Sequence, residues 1–208
     1  MILRATALAV MACLGLVGCG APGANLSDST PAEVAAAHYR HDGPPALTLF
    51  TMINNRSGAG AHSSIMVNAP SERVVFDPAG SVRAKNVPEM NDVLYGITPA
   101  VADFYARAHA RNTYRVRIQR IEVSPAVAEQ ALRIVKGYGS VSQAQCTVAT
   151  SAVLKQLPGF ETIKSTWFPV NLADQMAKIP GVSERTLREE DSDDKELAIK
   201  QFEASTTQ

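Results

Sequence analysis

The sequence has few cysteines, no excess charge of either sign and, after its opening residues, no apolar run of membrane-spanning length. Three cysteines in 208 residues are too few for a disulfide framework. The 20 Lys and Arg residues balance the 20 Asp and Glu residues, so the chain lacks the basic field that attracts nucleic acid, and no nucleic-acid partner is expected. With 46% apolar residues, the sequence predicts a globular domain that depends on its own core.

The opening residues predict export. Arg4 precedes an apolar run, from Ala5 to Val17, that is shorter than the roughly 20 residues needed to span a bilayer. Residues 1–18 therefore read as a signal peptide. The tetrad LVGC, which ends at Cys19, resembles the lipobox of bacterial lipoproteins. The resemblance implies that Cys19 is lipidated and that the protein is anchored in the cell envelope, at the outer membrane facing the periplasm. The alternative is an ordinary secretory leader with Cys19 near the cleavage site.

Composition divides the rest of the chain into three parts. Residues 19–45 are small, polar and proline-bearing, which predicts a lipidated tether with one or two helical turns in PAEVAAAHYR. Residues 46–182 contain the apolar runs and predict one domain. Residues 183–208 include EEDSDDKE and few large apolar groups, which predicts a frayed helix or a disordered tail.

The central part contains strand patterns separated by turn residues. ALTLFTMIN, HSSIMVN and RVVFDP are short apolar runs divided by NRSGAGA and APSE, a pattern typical of an antiparallel meander. A fourth strand is predicted in YRVRIQRIEV, where apolar residues nearly alternate with arginines. The arginines of this region predict a solvated face, or a contact with anionic lipid or wall polymer: Arg111, Arg115, Arg117 and Arg120.

Helix patterns surround the fourth strand. Thr98 and Ser124 are each followed by proline and an apolar helical stripe, which predicts two capped helices. A third helix is expected from about Ala144 to Leu157, and VNLADQMAKI predicts a short fourth one. The fold class is therefore α+β, with a small antiparallel sheet packed against helices. Several aromatic residues are expected to line the core or a groove: Tyr95, Phe104, Tyr105 and Trp167.

Cys146 is the only cysteine beyond Cys19, so in an oxidising compartment it has no bridge partner within the mature chain. The N–H groups of a helix amino terminus favour thiolate over thiol, which makes Cys146 a candidate nucleophile. His62 opens one predicted strand and Asp77 closes the next, so a hairpin through APSE would bring both to one edge. A nucleophile, a base and a residue that orients the base form the arrangement of covalent hydrolases.

These segments resemble a known family. GAHSSIMVNAPSERVVFDPAG, followed by QAQCTVATSAVL, is similar to the circularly permuted branch of the NlpC-like papain superfamily, which includes relatives of lecithin:retinol acyltransferase. The resemblance implies a permuted papain-like architecture with Cys146 as nucleophile, His62 as base and Asp77 as orienting residue. Many members carry an Asn directly before the cysteine, where this chain has Gln145.

Two hypotheses about function follow. The first is an envelope-tethered thiol hydrolase or acyltransferase that acts on an amide or ester, with a peptidoglycan peptide or a lipid as substrate and no cofactor. The second is a non-catalytic lipoprotein module that uses the same fold for binding or assembly.

Each candidate residue also has a purely structural reading. Cys146 would then be a small core hydrophobe, His62 a loop histidine bonded to backbone, and Asp77 a turn former. The remaining histidines lack metal-ligand spacing in the sequence, which predicts no metal site: His38, His41 and His109.

Overall fold

The structure is a computed structural model that describes residues 28–206. The predicted signal peptide, residues 1–18, and the predicted lipidation site, Cys19, lie outside the described residues. Within residues 28–206, no helix is both long and apolar enough to cross a membrane.

The described chain forms helices on both faces of one antiparallel sheet, so the predicted α+β class is confirmed. The strands pair in the order β4-β5-β3-β2-β1-β6-β7. In chain order the elements are α1 (Pro31–Ala36), β1 (Ala46–Asn54), β2 (Gly60–Asn68), β3 (Arg73–Phe76), β4 (Glu89–Met90), β5 (Val93–Leu94), α2 (Pro99–His109), β6 (Tyr114–Glu122), α3 (Pro125–Lys136), α4 (Cys146–Leu154), α5 (Pro169–Met176), β7 (Ser183–Arg188) and α6 (Lys195–Thr206).

Two apolar clusters cover the two faces of the sheet. On one face, α3, α4 and α5 pack against odd-numbered residues of β1 and β2, such as Leu47 and Ile65. On the other face, α2 and α6 pack over Phe50, Val75 and Val116. Because side chains alternate along a strand, β1 is buried on both faces and reads as a continuous apolar run.

The four predicted main strands and the four predicted helices after residue 98 are confirmed. The APSE segment forms a tight turn between β2 and β3, in which the Ala69 N–H donates to the Glu72 carbonyl at 3.0 Å. Thr98 and Ser124 cap their helices as expected, since each side-chain oxygen accepts a backbone N–H three residues on.

The acidic carboxyl-terminal part differs from the expectation. Its first residues form β7, which pairs with β6 in a six-residue ladder from Arg115↔Arg188 to Arg120↔Ser183. Amino-acid composition does not predict this strand, because β7 is held by backbone hydrogen bonds, which do not require apolar side chains. The helical alternative is correct for α6, which packs on α2 through Ile199 and Phe202.

The predicted solvated arginine face is also only partly correct. Arg111 is 4% exposed, and Arg117 is paired with Asp174 at 2.7 Å and Glu184 at 2.8 Å. Both side chains are covered because β7 and the segment before α6 add a layer that the arginine pattern alone does not reveal.

The last part of the predicted tether is attached to the domain. α1 is the expected short helix, and Thr30 and Glu33 form a capping box at its start. Beyond α1, the Arg73 N–H donates to the Tyr39 carbonyl at 2.9 Å. Residues 28–45 therefore extend the domain surface.

Replacing Phe202 with Ala is expected to lower the free energy of unfolding by about 1–2 kcal/mol, because Phe202 stacks on Phe104 with ring centroids 4.0 Å apart. Urea denaturation followed by circular dichroism measures the loss. Leu197→Ala on the same helix is the control, since Leu197 is 49% exposed and should change stability by less than about 0.5 kcal/mol. Equal effects of the two substitutions would show that α6 is not anchored through Phe202.

Candidate active site

The three residues singled out from the sequence are brought together at one end of β2. His62 lies near the start of β2, Asp77 directly follows β3, and Cys146 is the first residue of α4. The β2–β3 register runs Ile65↔Phe76, so its continuation sets Asp77 opposite Ser64 and diagonal to His62. The hairpin therefore delivers the carboxylate beside the imidazole, as predicted.

His62 and Asp77 form a short pair in which the carboxylate is buried and the imidazole is 14% exposed. The Nε2 of His62 lies 2.6 Å from Oδ1 of Asp77, and Asp77 is 3% exposed. Burial by itself lowers the pKa of His62, but the Asp77 charge and hydrogen bonds with Asp77 and Cys146 outweigh it and raise that pKa to about 9. For Asp77, burial is likewise outweighed, here by the charge and hydrogen bond of His62, and its pKa is held well below its usual range.

Asp77 is held by further partners. Oδ1 of Asp77 accepts a hydrogen bond from the Tyr105 hydroxyl at 2.6 Å, and the Asp77 N–H donates to the Asp92 carbonyl at 2.8 Å. Tyr105 also lies 2.6 Å from Oγ of Ser64. Since the phenol has one hydrogen and a carboxylate only accepts, Ser64 must donate to Tyr105. This chain of donors fixes the carboxylate orientation.

Asp77 also forms a turn, as its structural reading predicts. The Gly80 N–H donates to the Asp77 carbonyl at 2.9 Å. A Cβ at residue 80 would collide with the Asp77 carboxylate, which explains why glycine follows in DPAG.

Cys146 lies in a setting that stabilises thiolate. Burial raises the pKa of its thiol, but the hydrogen bond and charge of His62 outweigh burial, with help from the Ser63 N–H and the Thr147 hydroxyl. Together these lower the pKa to about 7. Because Nε2 of His62 is engaged by Asp77, Nδ1 is the ring nitrogen left for the thiol.

Cys146 and His62 therefore favour the thiolate and imidazolium forms at neutral pH. Cys146, with a pKa of about 7, loses its proton more readily than His62, with a pKa of about 9. An ion pair of this kind supplies both a nucleophile and a proton donor without a prior proton-transfer step.

His109 belongs to the site, although sequence reasoning did not assign it. Its ring lies nearly parallel to that of His62, at 8° with centroids 5.6 Å apart, and its Nδ1–H donates to the Tyr105 carbonyl at 2.9 Å. Burial lowers the pKa of His109 to about 4, against the opposing effect of Asp77. It is therefore a neutral neighbour of the charged pair. His109 follows Tyr105 by four residues, so both side chains lie on one face of α2. This spacing in the sequence could have indicated that the two residues belong to one site.

His62, Asp77 and His109 also form a group with metal-ligand chemistry, because their ligand atoms all lie within 4.8 Å of one another. Sequence spacing did not reveal this group. A metal ion would require His62 without a proton on Nε2, yet the Asp77 carboxylate at 2.6 Å favours that proton. The arrangement thus favours a protonated His62 over a metal ligand at neutral pH.

Aromatic side chains are exposed near the start of β2. Trp167 is 59% exposed and Phe168 is 71% exposed, so Trp167 is not a core residue. The next residue, Pro169, packs against Gly60, two positions before His62. The loop therefore offers apolar surface beside the strand that carries His62.

Comparison with known proteins gives no match: no protein-family model, no curated protein and no solved structure is similar to this chain. The geometry of the site is therefore the basis for its chemistry. That geometry is a buried thiol, an imidazole and a carboxylate linked in series through the imidazole ring.

Proposed function

We propose that this protein is a cysteine hydrolase or acyltransferase that forms an acyl-enzyme on Cys146 from an amide or ester substrate. The observation that carries the proposal is that the His62 ring lies 2.6 Å from the Asp77 carboxylate and also lowers the pKa of the Cys146 thiol to about 7, against the effect of burial. A cysteine that only filled space in the core would need no imidazole beside its thiol.

In the proposed mechanism, the Cys146 thiolate attacks the substrate carbonyl and the negative charge moves to the carbonyl oxygen. The first N–H groups of a helix have no intrahelical acceptor, and Gln145 provides no side-chain cap for α4. The Cys146 N–H is therefore the candidate donor for the oxyanion. His62 then protonates the leaving amine or alcohol, and the acyl group passes to water or to a second acceptor.

Asp77 acts in this mechanism by orienting His62. Its hydrogen bond to Nε2 fixes the ring so that Nδ1 faces the thiol, and its charge stabilises the imidazolium. The Tyr105 hydroxyl supports Asp77 by donating to the same oxygen, Oδ1, that His62 contacts.

The architecture we propose is that of the permuted NlpC-like papain superfamily. The order of the elements supports it, since a histidine strand and an acidic residue precede the helix that begins with the cysteine. Exposed Trp167 and Phe168 would contact an apolar part of the substrate. Together with the lipobox-like tetrad, this favours an envelope-anchored enzyme that acts on a peptidoglycan peptide or a lipid ester.

The proposal is tested by the pH dependence of alkylation by iodoacetamide. In the full chain with Cys13→Ala and Cys19→Ala, Cys146 is the only thiol. We expect half-maximal alkylation near pH 7, because His62 and the Ser63 N–H stabilise the thiolate. His62→Ala should move the midpoint up toward about 8.5, the ordinary thiol value.

His38→Ala is the matched control, because His38 is exposed and contacts the Ser71 carbonyl instead of the thiol. It should leave the midpoint unchanged. Slow alkylation with an ordinary midpoint in the unsubstituted site would favour the non-catalytic binding module. Incubation with wall fragments or phospholipid, followed by intact-mass measurement, would identify the acyl group transferred to Cys146.

A further inference from the structure

A cavity lies on the face of the sheet covered by α2, away from α4. Its volume is about 560 Å³, within the range of about 300–1,000 Å³ that is typical of small-molecule sites. Phe50, Met66 and Ile118 contribute apolar surface from the sheet, and Ala102 and Ala106 do so from α2. Cys146 does not line this cavity.

Arg73 is the buried cation of this cavity. It is 8% exposed, and its Nε donates to the thioether sulfur of Met66 at 3.3 Å, a weak acceptor. Its Nη1 is buried without a hydrogen-bond partner, and no carboxylate among residues 28–206 forms an ion pair with it. A guanidinium keeps its charge even when buried, so the site holds an uncompensated positive charge.

The acidic residues around the cavity do not compensate Arg73. Asp103 pairs with Arg107 at 2.8 Å, and Glu184 pairs with Arg117 at 2.8 Å. Both acids are thus engaged by other arginines, and a ligand anion would meet no competitor for Arg73.

Three further basic side chains line the same cavity: His41, Arg120 and Arg185. Burial lowers the pKa of Arg73 and of His41, and repulsion from Arg120 lowers both further. Arg120 has its own surface partner, Glu122, at 3.0 Å. The cavity therefore combines apolar surface with basic side chains.

We propose that this cavity, here named the Arg73 cavity, binds an amphiphilic anion whose carboxylate or phosphate contacts the Arg73 guanidinium and whose apolar part lies on Phe50, Met66 and Ile118. A planar guanidinium suits either head group, because it presents paired donors to two oxygens. Such a ligand would supply the hydrogen-bond acceptors and the negative counter-charge that the Arg73 guanidinium lacks.

The Arg73 cavity is separate from the thiol site. Met66 follows His62 on the same face of β2, and four strand residues span roughly 13 Å. Binding here is therefore independent of acyl transfer, and Cys146→Ala should leave the affinity unchanged.

Isothermal titration calorimetry of the full chain with decanoate, decyl phosphate, decanol and inorganic phosphate tests the proposal. We expect one or both amphiphilic anions to bind at one site, and decanol and inorganic phosphate to bind at least about tenfold more weakly, because each lacks one half of the ligand. A preference for decanoate or decyl phosphate identifies the head group. No binding of either anion, or equal binding of decanol, would overturn the proposal.

Two variants test separately the charge of Arg73 and the space inside the Arg73 cavity. Arg73→Met should weaken binding of the preferred anion at least about tenfold, whereas Arg133→Met, an exposed arginine on α3, should change it less than about twofold. Ala102→Phe keeps Arg73 and fills the cavity from α2, so it tests the site even if Arg73→Met does not fold. Unchanged binding in Ala102→Phe would contradict the assignment.

Discussion

Cys146→Ala is expected to lower the turnover of p-nitrophenyl butyrate at least about 10³-fold, to the rate of buffer hydrolysis. The proposed acyl-enzyme needs a nucleophile at this position, and removal of the nucleophile from a comparable constellation removes most of the rate enhancement. Initial rates at pH 8, where thiolate and imidazolium coexist, measure the effect because the pKa values of Cys146 and His62 are about 7 and about 9.

Cys146→Ser is the matched variant for this prediction. It keeps a side chain of similar size that His62 contacts, but a serine hydroxyl does not ionise near neutral pH, so turnover should also fall strongly. The fold should be retained, with a free energy of unfolding within about 1 kcal/mol of the parent. His62→Ala combined with Cys146→Ala should be no slower than Cys146→Ala alone, because the two residues act as a unit. Undiminished turnover in Cys146→Ala would place the activity elsewhere.

Asp77→Asn is expected to lower both activity and stability. Turnover should fall about 10²–10⁴-fold, because an amide neither stabilises the imidazolium nor fixes the proton of His62 on Nε2. The pKa of His62 should fall below about 9, since burial lowers it once the Asp77 charge is gone. NMR titration of the His62 ring measures this change directly.

The stability loss from Asp77→Asn should be about 3 kcal/mol and should depend on pH, because it breaks a buried ion pair. Asp77 has a lowered pKa in the folded state, so its contribution is present above about pH 4 and is lost as pH falls. His62 has a raised pKa, so its contribution is complete below about pH 6.5 and is lost as pH rises through about 9. The difference from the parent should therefore be largest between about pH 4 and 6.5.

Asp103→Asn is the control for stability, because Asp103 is an exposed carboxylate on α2 that pairs with exposed Arg107. Urea denaturation at pH 5.5 and at pH 9 should show a change of less than about 0.5 kcal/mol for this variant at both values. If Asp77→Asn were equally mild at pH 5.5, the His62–Asp77 pair would not be the stabilising element described above.

Local patterns were enough to predict the central strands, the capped helices and the three residues of the candidate site. Ser124 followed by Pro125 predicts a helix start because the cap and the proline act on adjacent backbone groups. His62 and Asp77 could be paired in advance because a short turn leaves one register for the hairpin.

Residues joined only by packing could not be predicted in this way. Tyr105 and His109 reach Asp77 from α2, a helix that follows β3 by more than twenty residues and crosses the sheet face. The order of residues along the chain does not specify which face of a helix packs against which strand. The edge strand β7 was missed for a related reason, because its mostly polar residues are held by the open backbone groups of β6.

The amino-acid sequence by itself determined the α+β class, the strand that carries His62, the turn at Asp77 and the presence of a helix near Cys146, because each depends on neighbours along the chain. Only the tertiary structure decided that the thiol, imidazole and carboxylate are linked, that Tyr105 and His109 complete their surroundings, and that Arg73 is buried without a counter-charge. Those features depend on long-range packing, which sets burial and therefore the electrostatic balance of each charged group.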